Sequence, residues 1–344
     1  MQCLSRHRRC RTLGGIFMLV TALWNLKYVF YSLIIDEIQQ PPPLTILVWS
    51  WPFHAPQNIS MDICSHLYNI PNCWLTDNHS DISEADVVLF HHKELVSVGM
   101  VLPTEKRPPG QVWVWATLES PSNTRSLHAL NGSLFNWTMT YRQDSDIFVP
   151  YGWLVPQTSH SFPIPNKTGL VSWVISNYKK KQERAAYYKD LSAHINVDVY
   201  GRAVGKPLCS KCLLPTVSKY KFYLAFENSI HQDYITEKMW TNAFAAGAVP
   251  VVLGPPRANY ERFIPKDAFI HIDDFASPAE LARFLKTMNS STYQQYFRWR
   301  NNHTVKTFVD WGERFCSICV KYNSLPRGKV YQDLSRWFRG KDKF

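Results

Sequence analysis

Short apolar runs, each bounded by polar residues or by proline and glycine, recur along most of the chain. Leu44 to Trp49, Ala85 to Phe90 and Gln111 to Ala116 form one set. Leu170 to Ser176, Asn196 to Tyr200, Phe222 to Phe226, Ala248 to Leu253 and Ala268 to Ile272 read as a second series of strands, of which Asn196 to Tyr200 is the more polar. Runs of this length read as strands covered on both faces, the situation in parallel sheets. Gln182 to His194, Ile235 to Ala246 and Pro278 to Met288 read as helices between the later strands. Pro278 stands in a first-turn position, where its missing N–H costs nothing. Strands alternating with helices form βαβ units, so the expected class is α/β with two Rossmann-like, doubly wound domains. The join is expected in the proline-rich stretch Pro156 to Thr168, giving domains at 44–165 and 166–344.

Ahead of this body the pattern changes. Residues 14–35 are almost wholly apolar, with Arg6, Arg8, Arg9 and Arg11 before them and Asp36 and Glu37 after. About 20 apolar residues cross a bilayer. The charge order puts a tail of residues 1–13 in the cytosol and the body in a lumen. Asn25 and Lys27 interrupt the run. No small-residue cleavage site follows, which favours a retained signal-anchor over the alternative of a cleaved signal peptide. Residues 36–43, ending in three prolines, read as a short extended stem.

The polar chemistry agrees with a lumenal body. Glycosylation sequons begin at Asn58, Asn78, Asn131, Asn136, Asn166, Asn289 and Asn302. Six cysteines follow the anchor, Cys64, Cys73, Cys209, Cys212, Cys316 and Cys319, and an even count implies three disulfides. Cys209–Cys212 and Cys316–Cys319 are C-x-x-C pairs, for which a shared zinc site and a redox motif are the alternatives. Their wide separation weighs against zinc, and no thioredoxin-like helix follows either pair. Each is therefore expected to close locally. The net charge of +11 favours anionic partners. With no basic stripe interleaved with aromatics and no zinc-finger spacing, nucleic acid is not expected among them.

Ligands of doubly wound sheets bind beyond the carboxyl ends of the strands, where helix N-termini converge. The run Phe222 to Phe226 leads into Asn228 and Ser229, then Tyr234, Glu237 and Lys238 at the start of a helix. That cluster supplies a cation for phosphate, a carboxylate for hydroxyls and an aromatic face, as a nucleotide-sugar requires. The plain alternative is an N-capping turn with a surface Glu and Lys. No G-x-G-x-x-G and no Walker lysine occurs, which argues against dinucleotide and P-loop chemistry. Asp144 and Asp146 form a D-x-D pair at the head of a strand, where a structural role is expected ahead of metal binding.

Phe222 to Ser229, Asp233 to Lys238 and Ala246 to Gly254 together resemble the signature of the animal α-1,3-fucosyltransferase family. His91-His-Lys-Glu94, Trp113-Val-Trp115, Glu119-Ser-Pro-Ser122 and Tyr141 to Gly152 are similar to its N-terminal half, so the likeness runs from about Leu44 to Phe338. Trp49 to Phe53, the short stem and the length lean towards its leukocyte-type members, which act on α-2,3-sialylated type 2 lactosamine. The resemblance implies the two-domain GT-B fold, with the acceptor held by the first domain and GDP-fucose, the donor, by the second. It implies no cofactor and no metal, a glycoprotein or glycolipid acceptor, and a Golgi membrane location. Glu119 matches the general base of an inverting transfer. Ser176, Asn177, Arg202, Asn228, Tyr234, Glu237 and Lys238 match donor contacts, with Arg202 on the diphosphate. His91, His92 and Lys93 match the acceptor motif. Lys93 departs from the arginine often found for type 2 chains and lacks its planar fork. A transferase for another nucleotide-sugar and a silent glycan-binding protein are the competing expectations.

Overall fold

The structure, a computed structural model, describes residues 24–30, 42–97, 101–158, 163–209 and 211–340. The expected cytosolic tail, most of the anchor and most of the stem lie outside these residues; within the anchor, residues 24–30 are helical. Among the described residues no helix is long and apolar enough to cross a membrane.

The body, residues 44–344, is one unit built on two parallel sheets. The first contains β1 (Leu44–Ser50), β2 (Cys73–Thr76), β3 (Val87–His91), β4 (Val112–Thr117), β5 (Trp137–Thr140) and β6 (Ile147–Phe148), in the order β2-β1-β3-β4-β5-β6. After β7 (Trp153–Pro156), the second contains β8 (Gly169–Val174), β9 (Asp198–Tyr200), β10 (Tyr220–Phe226), β11 (Val249–Leu253) and β12 (Ile270–His271), in the order β12-β11-β10-β8-β9. All pairings within both sheets are parallel. The apolar runs explain this: every residue of β3, β4, β5 and β11 is buried, as a sheet with both faces covered demands. Two Rossmann-like sheets facing a shared cleft match the GT-B expectation.

Helices Glu183–Ser192 and Pro278–Thr287 cover one face of the second sheet, where Leu191, Leu281 and Leu285 enter its core. The other face is covered by Lys238–Ala245, which is a π-helix rather than the expected α-helix and contributes Met239, Trp240 and Phe244.

The chain crosses back. β7 pairs antiparallel with β13 (His303–Lys306), and helix Trp311–Tyr322 then returns to the first sheet, burying Phe315 and Ile318 in its core. Helix Leu334–Arg339 joins the same core through Leu334 and Phe338. The assignment of everything from 166 to 344 to the second domain is therefore corrected for this last segment. The disulfides account for it. Cys64 bonds Cys316 and Cys73 bonds Cys319, so Cys316–Cys319 is not a local bridge, whereas Cys209–Cys212 is. Helical C-x-x-C side chains one turn apart face the same neighbour, here helix Ile63–Tyr68 and β2.

Six sequon asparagines are exposed. Asn136 is not. Its Oδ1 accepts from Trp113 N (2.9 Å) and its Nδ2 donates to Lys329 O (2.9 Å) in the interior, which leaves no room for a glycan.

Candidate active site

Strand order reverses between β1 and β3 in the first sheet and between β8 and β10 in the second. Such reversals open a crevice at the carboxyl ends of the strands. The segments leaving those four strands, with the one leaving β4, line a single cavity of about 320 Å³. Phe53 comes from β1, His91 to Lys93 from β3, Glu119 from β4, Asn177 from β8 and Asn228 from β10. The acceptor-side candidates, the candidate base and two donor-side candidates thus share one space.

The wall formed by the acceptor-side candidates is an internally bonded frame. His91 Nδ1 pairs with the fully buried Glu94 carboxylate, whose other oxygen accepts from Phe53 N at 2.7 Å. Phe53 has a left-handed backbone (φ 61°), costly for a residue with a Cβ, and the Glu94 contact holds it there. Its ring lies 4.4 Å from Lys93 Nζ. His92 Nε2 donates to Arg125 O (2.8 Å) and its Nδ1 accepts from Trp115 Nε1 (3.2 Å). Burial depresses the His92 pKa from 6.5 to about 4, so the imidazole is neutral. The ring nitrogens His91 Nδ1 and both of His92 are committed to protein, and Lys93 is the exposed member of the trio.

Glu119 follows β4 by two residues. Thr117 Oγ1 accepts from Glu119 N (3.2 Å), and Leu118 O accepts from Tyr151 Oη (2.6 Å). The carboxylate is half-buried and has no hydrogen-bond partner among the described residues. Ser176 and Asn177 are exposed beyond β8, with Asn177 O accepting from Arg184 Nη2 at 2.6 Å. Arg202 is exposed one residue past Gly201. A Cβ on Gly201 would lie 2.1 Å from Ile175 O, so only glycine lets β9 turn this close to the end of β8. Arg202 does not line the cavity.

Two family models match the chain: "Fucosyltransferase, N-terminal" over residues 41–152 and "Glycosyltransferase family 10 (fucosyltransferase) C-term" over 164–337. The chain belongs to glycosyltransferase family 10. The human protein named alpha-(1,3)-fucosyltransferase 7 is 52% identical over 96% of this chain and 97% of its own length. The human 4-galactosyl-N-acetylglucosaminide 3-alpha-L-fucosyltransferase FUT5 is 48% identical over 88% and 82%. A crystal structure of an alpha1,3-fucosyltransferase with GDP-fucose is 20% identical, has a TM-score of 0.55, and covers 86% of this chain and 94% of that one. At that identity the last comparison speaks for the fold alone. The relatives at about half identity make this family member an α-1,3-fucosyltransferase.

The other donor-side candidates of this fucosyltransferase lie deeper. Lys238 Nζ contacts Glu227 Oε2 (3.0 Å), Glu237 Oε1 (3.1 Å) and Thr236 Oγ1 (2.7 Å). Burial alone would lower its pKa, but the two carboxylates outweigh that and hold the ammonium above its ordinary value. Glu227 is fully buried and held above the usual carboxylate range by desolvation, with Lys238 opposing. Glu237 is half exposed on its solvent side. Tyr234 does not offer an open aromatic face: it is buried against Tyr141 (5.0 Å between ring centroids) within the first core. That departs from its expected donor contact. It joins the sheets instead.

Asp144 is clamped by Arg142 (2.8 and 2.6 Å), and Asp146 accepts from Thr138, Lys329 and Tyr331. The pair is structural. Glu94, Glu227 and Arg184 were not anticipated as supports of the site. Glu94 and Glu227 each left a trace in the sequence, the first as the last residue of the His91-His-Lys-Glu94 motif and the second as the carboxylate after the apolar run Phe222 to Phe226, whereas Arg184 left none.

Proposed function

We propose that the enzyme transfers L-fucose from GDP-β-L-fucose to O3 of the GlcNAc in type 2 lactosamine, α-2,3-sialylated, forming determinants such as sialyl Lewis x. The observation that carries the reading is the convergence of five strand ends on one cavity whose lining includes one carboxylate, Glu119, together with the cations Lys93 and Arg125. The names of the relatives support the linkage and the acceptor, and that of the solved relative supports the donor.

A β-linked donor becoming an α-fucoside requires inversion. The acceptor hydroxyl attacks the anomeric carbon from the face opposite GDP, and Glu119 takes its proton. The bond to the diphosphate oxygen breaks and GDP departs with the electron pair. Arg202 and Lys238 neutralise that charge, while Ser176, Asn177 and Asn228 orient the nucleotide. No metal or cofactor enters the scheme. The reading also places the body in the Golgi lumen behind a signal-anchor at 14–35. Three formed disulfides and six exposed sequons support an oxidising, glycosylating compartment.

The test is the purified body with GDP-fucose and a panel of neutral and α-2,3-sialylated type 1 and type 2 acceptors. Turnover should be greatest on sialylated type 2. Equal or greater turnover on plain lactosamine would remove the sialyl preference and leave fucosyl transfer standing.

A further inference from the structure

Beyond Glu119 the chain makes a tight turn, in which Asn123 N donates to Ser120 O (2.9 Å) and Thr124 Oγ1 to the same carbonyl (2.8 Å). This turn meets the segment that leaves β10 on the other sheet. Ser120 Oγ and Ser229 Oγ are 2.6 Å apart, Ser122 Oγ and His231 Nε2 are 2.6 Å apart, and Asn123 Nδ2 donates to Asn228 Oδ1 at 3.2 Å. These contacts join residues 105 to 109 positions apart, all between the same two segments. Ser120 is completely buried, so its hydroxyl has no water to fall back on. Ser229 also lies 3.0 Å from Asn228 Oδ1, which links the hydroxyl pair to a donor-side residue lining the cavity.

We propose that Ser120 and Ser229 are positioning residues, a hydroxyl latch that ties the loop bearing the catalytic carboxylate to the donor-side loop. The proposal rests on the reading of Glu119 as general base and extends it. Neither serine touches the reacting atoms. Their pairing fixes where the Glu119 carboxylate stands relative to a sugar bound beside Asn228. A base displaced by even an ångström loses much of its effect, whereas donor binding needs no such register. The latch therefore governs transfer to the acceptor more than it governs binding or the slow attack of water on the donor.

The test compares Ser120→Ala, Ser229→Ala, the double variant and Ser229→Thr. Each is measured for kcat and KM of transfer, GDP affinity by calorimetry, and release of free fucose from GDP-fucose without acceptor. Loss of one buried hydrogen bond predicts a fall in transfer kcat of about tenfold in either alanine variant. GDP affinity and acceptor-free hydrolysis should stay within about twofold of the parent, and Ser229→Thr, which keeps the hydroxyl, should restore most of the rate. Both alanines remove the bond between the two hydroxyls, while Ser120→Ala also frees Asn123 Nδ2 (3.2 Å) and Ser229→Ala also frees Asn228 Oδ1 (3.0 Å), so the double variant should lose clearly less than the sum of the two single losses. Additive losses, or a fall in hydrolysis matching that in transfer, would overturn the latch. If Ser120→Ala does not fold, Ser229→Ala against Ser229→Thr decides alone. Glu119→Gln, run in parallel, keeps the two ideas apart. Retained turnover there would remove the base assignment, whereas its loss beside a wild-type Ser229→Ala would remove the latch only.

Discussion

A charge taken out of water must be paired or discharged, and two neighbouring parts of the site do one each. Lys238 stays charged because Glu227 and Glu237 surround it, so the cation is held in place before any phosphate arrives. His92 is discharged. Its Nδ1 accepts from the Trp115 indole, and a proton there would set two donors face to face. The pKa of about 4 in the fold, against 6.5 for a free imidazole, makes a sign-definite prediction. The unfolded chain binds the extra proton between those values, so the stability is fully present above pH 6.5 and lost as pH falls towards 4. The total is about 3 kcal/mol. Urea unfolding at pH 7 and pH 4.5 should show this loss in the parent, and a shallower pH dependence in His92→Gln. An unchanged pH dependence in the variant would assign the titration elsewhere. Of these features, Lys238, Glu119 and His92 were legible in the sequence, since each sits in a motif at a strand end. Their partners were not. Glu227 beside Lys238 and Ser229 beside Ser120 are set by how the strand ends meet in space, which one-dimensional spacing does not encode.

The same limit acts on the elements. The strands β3, β4, β10 and β11, apolar except for His91, Thr117 and Lys221, are announced by their composition. β2 and β5, each four residues with threonines and tryptophans, are too short and mixed to register. Ile235 to Ala246 reads as a helix, but its π form from Lys238 onward leaves no signature in the apolar spacing. Helix Trp311–Tyr322 had the largest consequence of those missed. Trp311 packs edge-on against His91 (5.3 Å) and Phe315 against Trp51 (5.5 Å), so this late helix buttresses the cavity wall that carries the proposed acceptor residues. Its two disulfides close loops of 252 and 246 residues. Removing one by Cys64→Ser with Cys316→Ser should cost about 2–5 kcal/mol of stability. It should also raise acceptor KM more than donor KM, because the wall that loosens belongs to the first sheet. Thermal melts and two-substrate kinetics measure both effects. Non-reducing peptide mapping should recover Cys64 joined to Cys316 and Cys73 to Cys319, and a closed Cys316–Cys319 peptide would contradict the packing of this helix.

For the molecule as a whole, the net charge of +11 gains meaning from where unpaired cations meet the cavity. Spread evenly over a surface, such a charge is screened within about 8 Å at physiological salt and selects nothing. Lys93 and Arg125 are different: both are exposed at the cavity lining, Lys93 rests on the Phe53 ring, and neither forms an ion pair among the described residues. A carboxylate carried by the acceptor would be drawn to these two cations and repelled by Glu119, which lines the same cavity. On the proposed reading, binding of a sialylated acceptor would be salt-dependent in a way that a neutral acceptor cannot share. Raising ionic strength from about 0.1 M to about 1 M shortens the screening length from about 10 Å to about 3 Å. KM for the sialylated chain should then rise several-fold while KM for plain lactosamine stays nearly flat, with kcat little changed for either, because rim charges act mainly on association. Lys93→Gln should flatten the salt response of the sialylated substrate towards that of the neutral one. Parallel salt responses for the two acceptors would mean that sialic acid is held by hydrogen bonds and shape, and that these two cations serve the surface rather than the substrate.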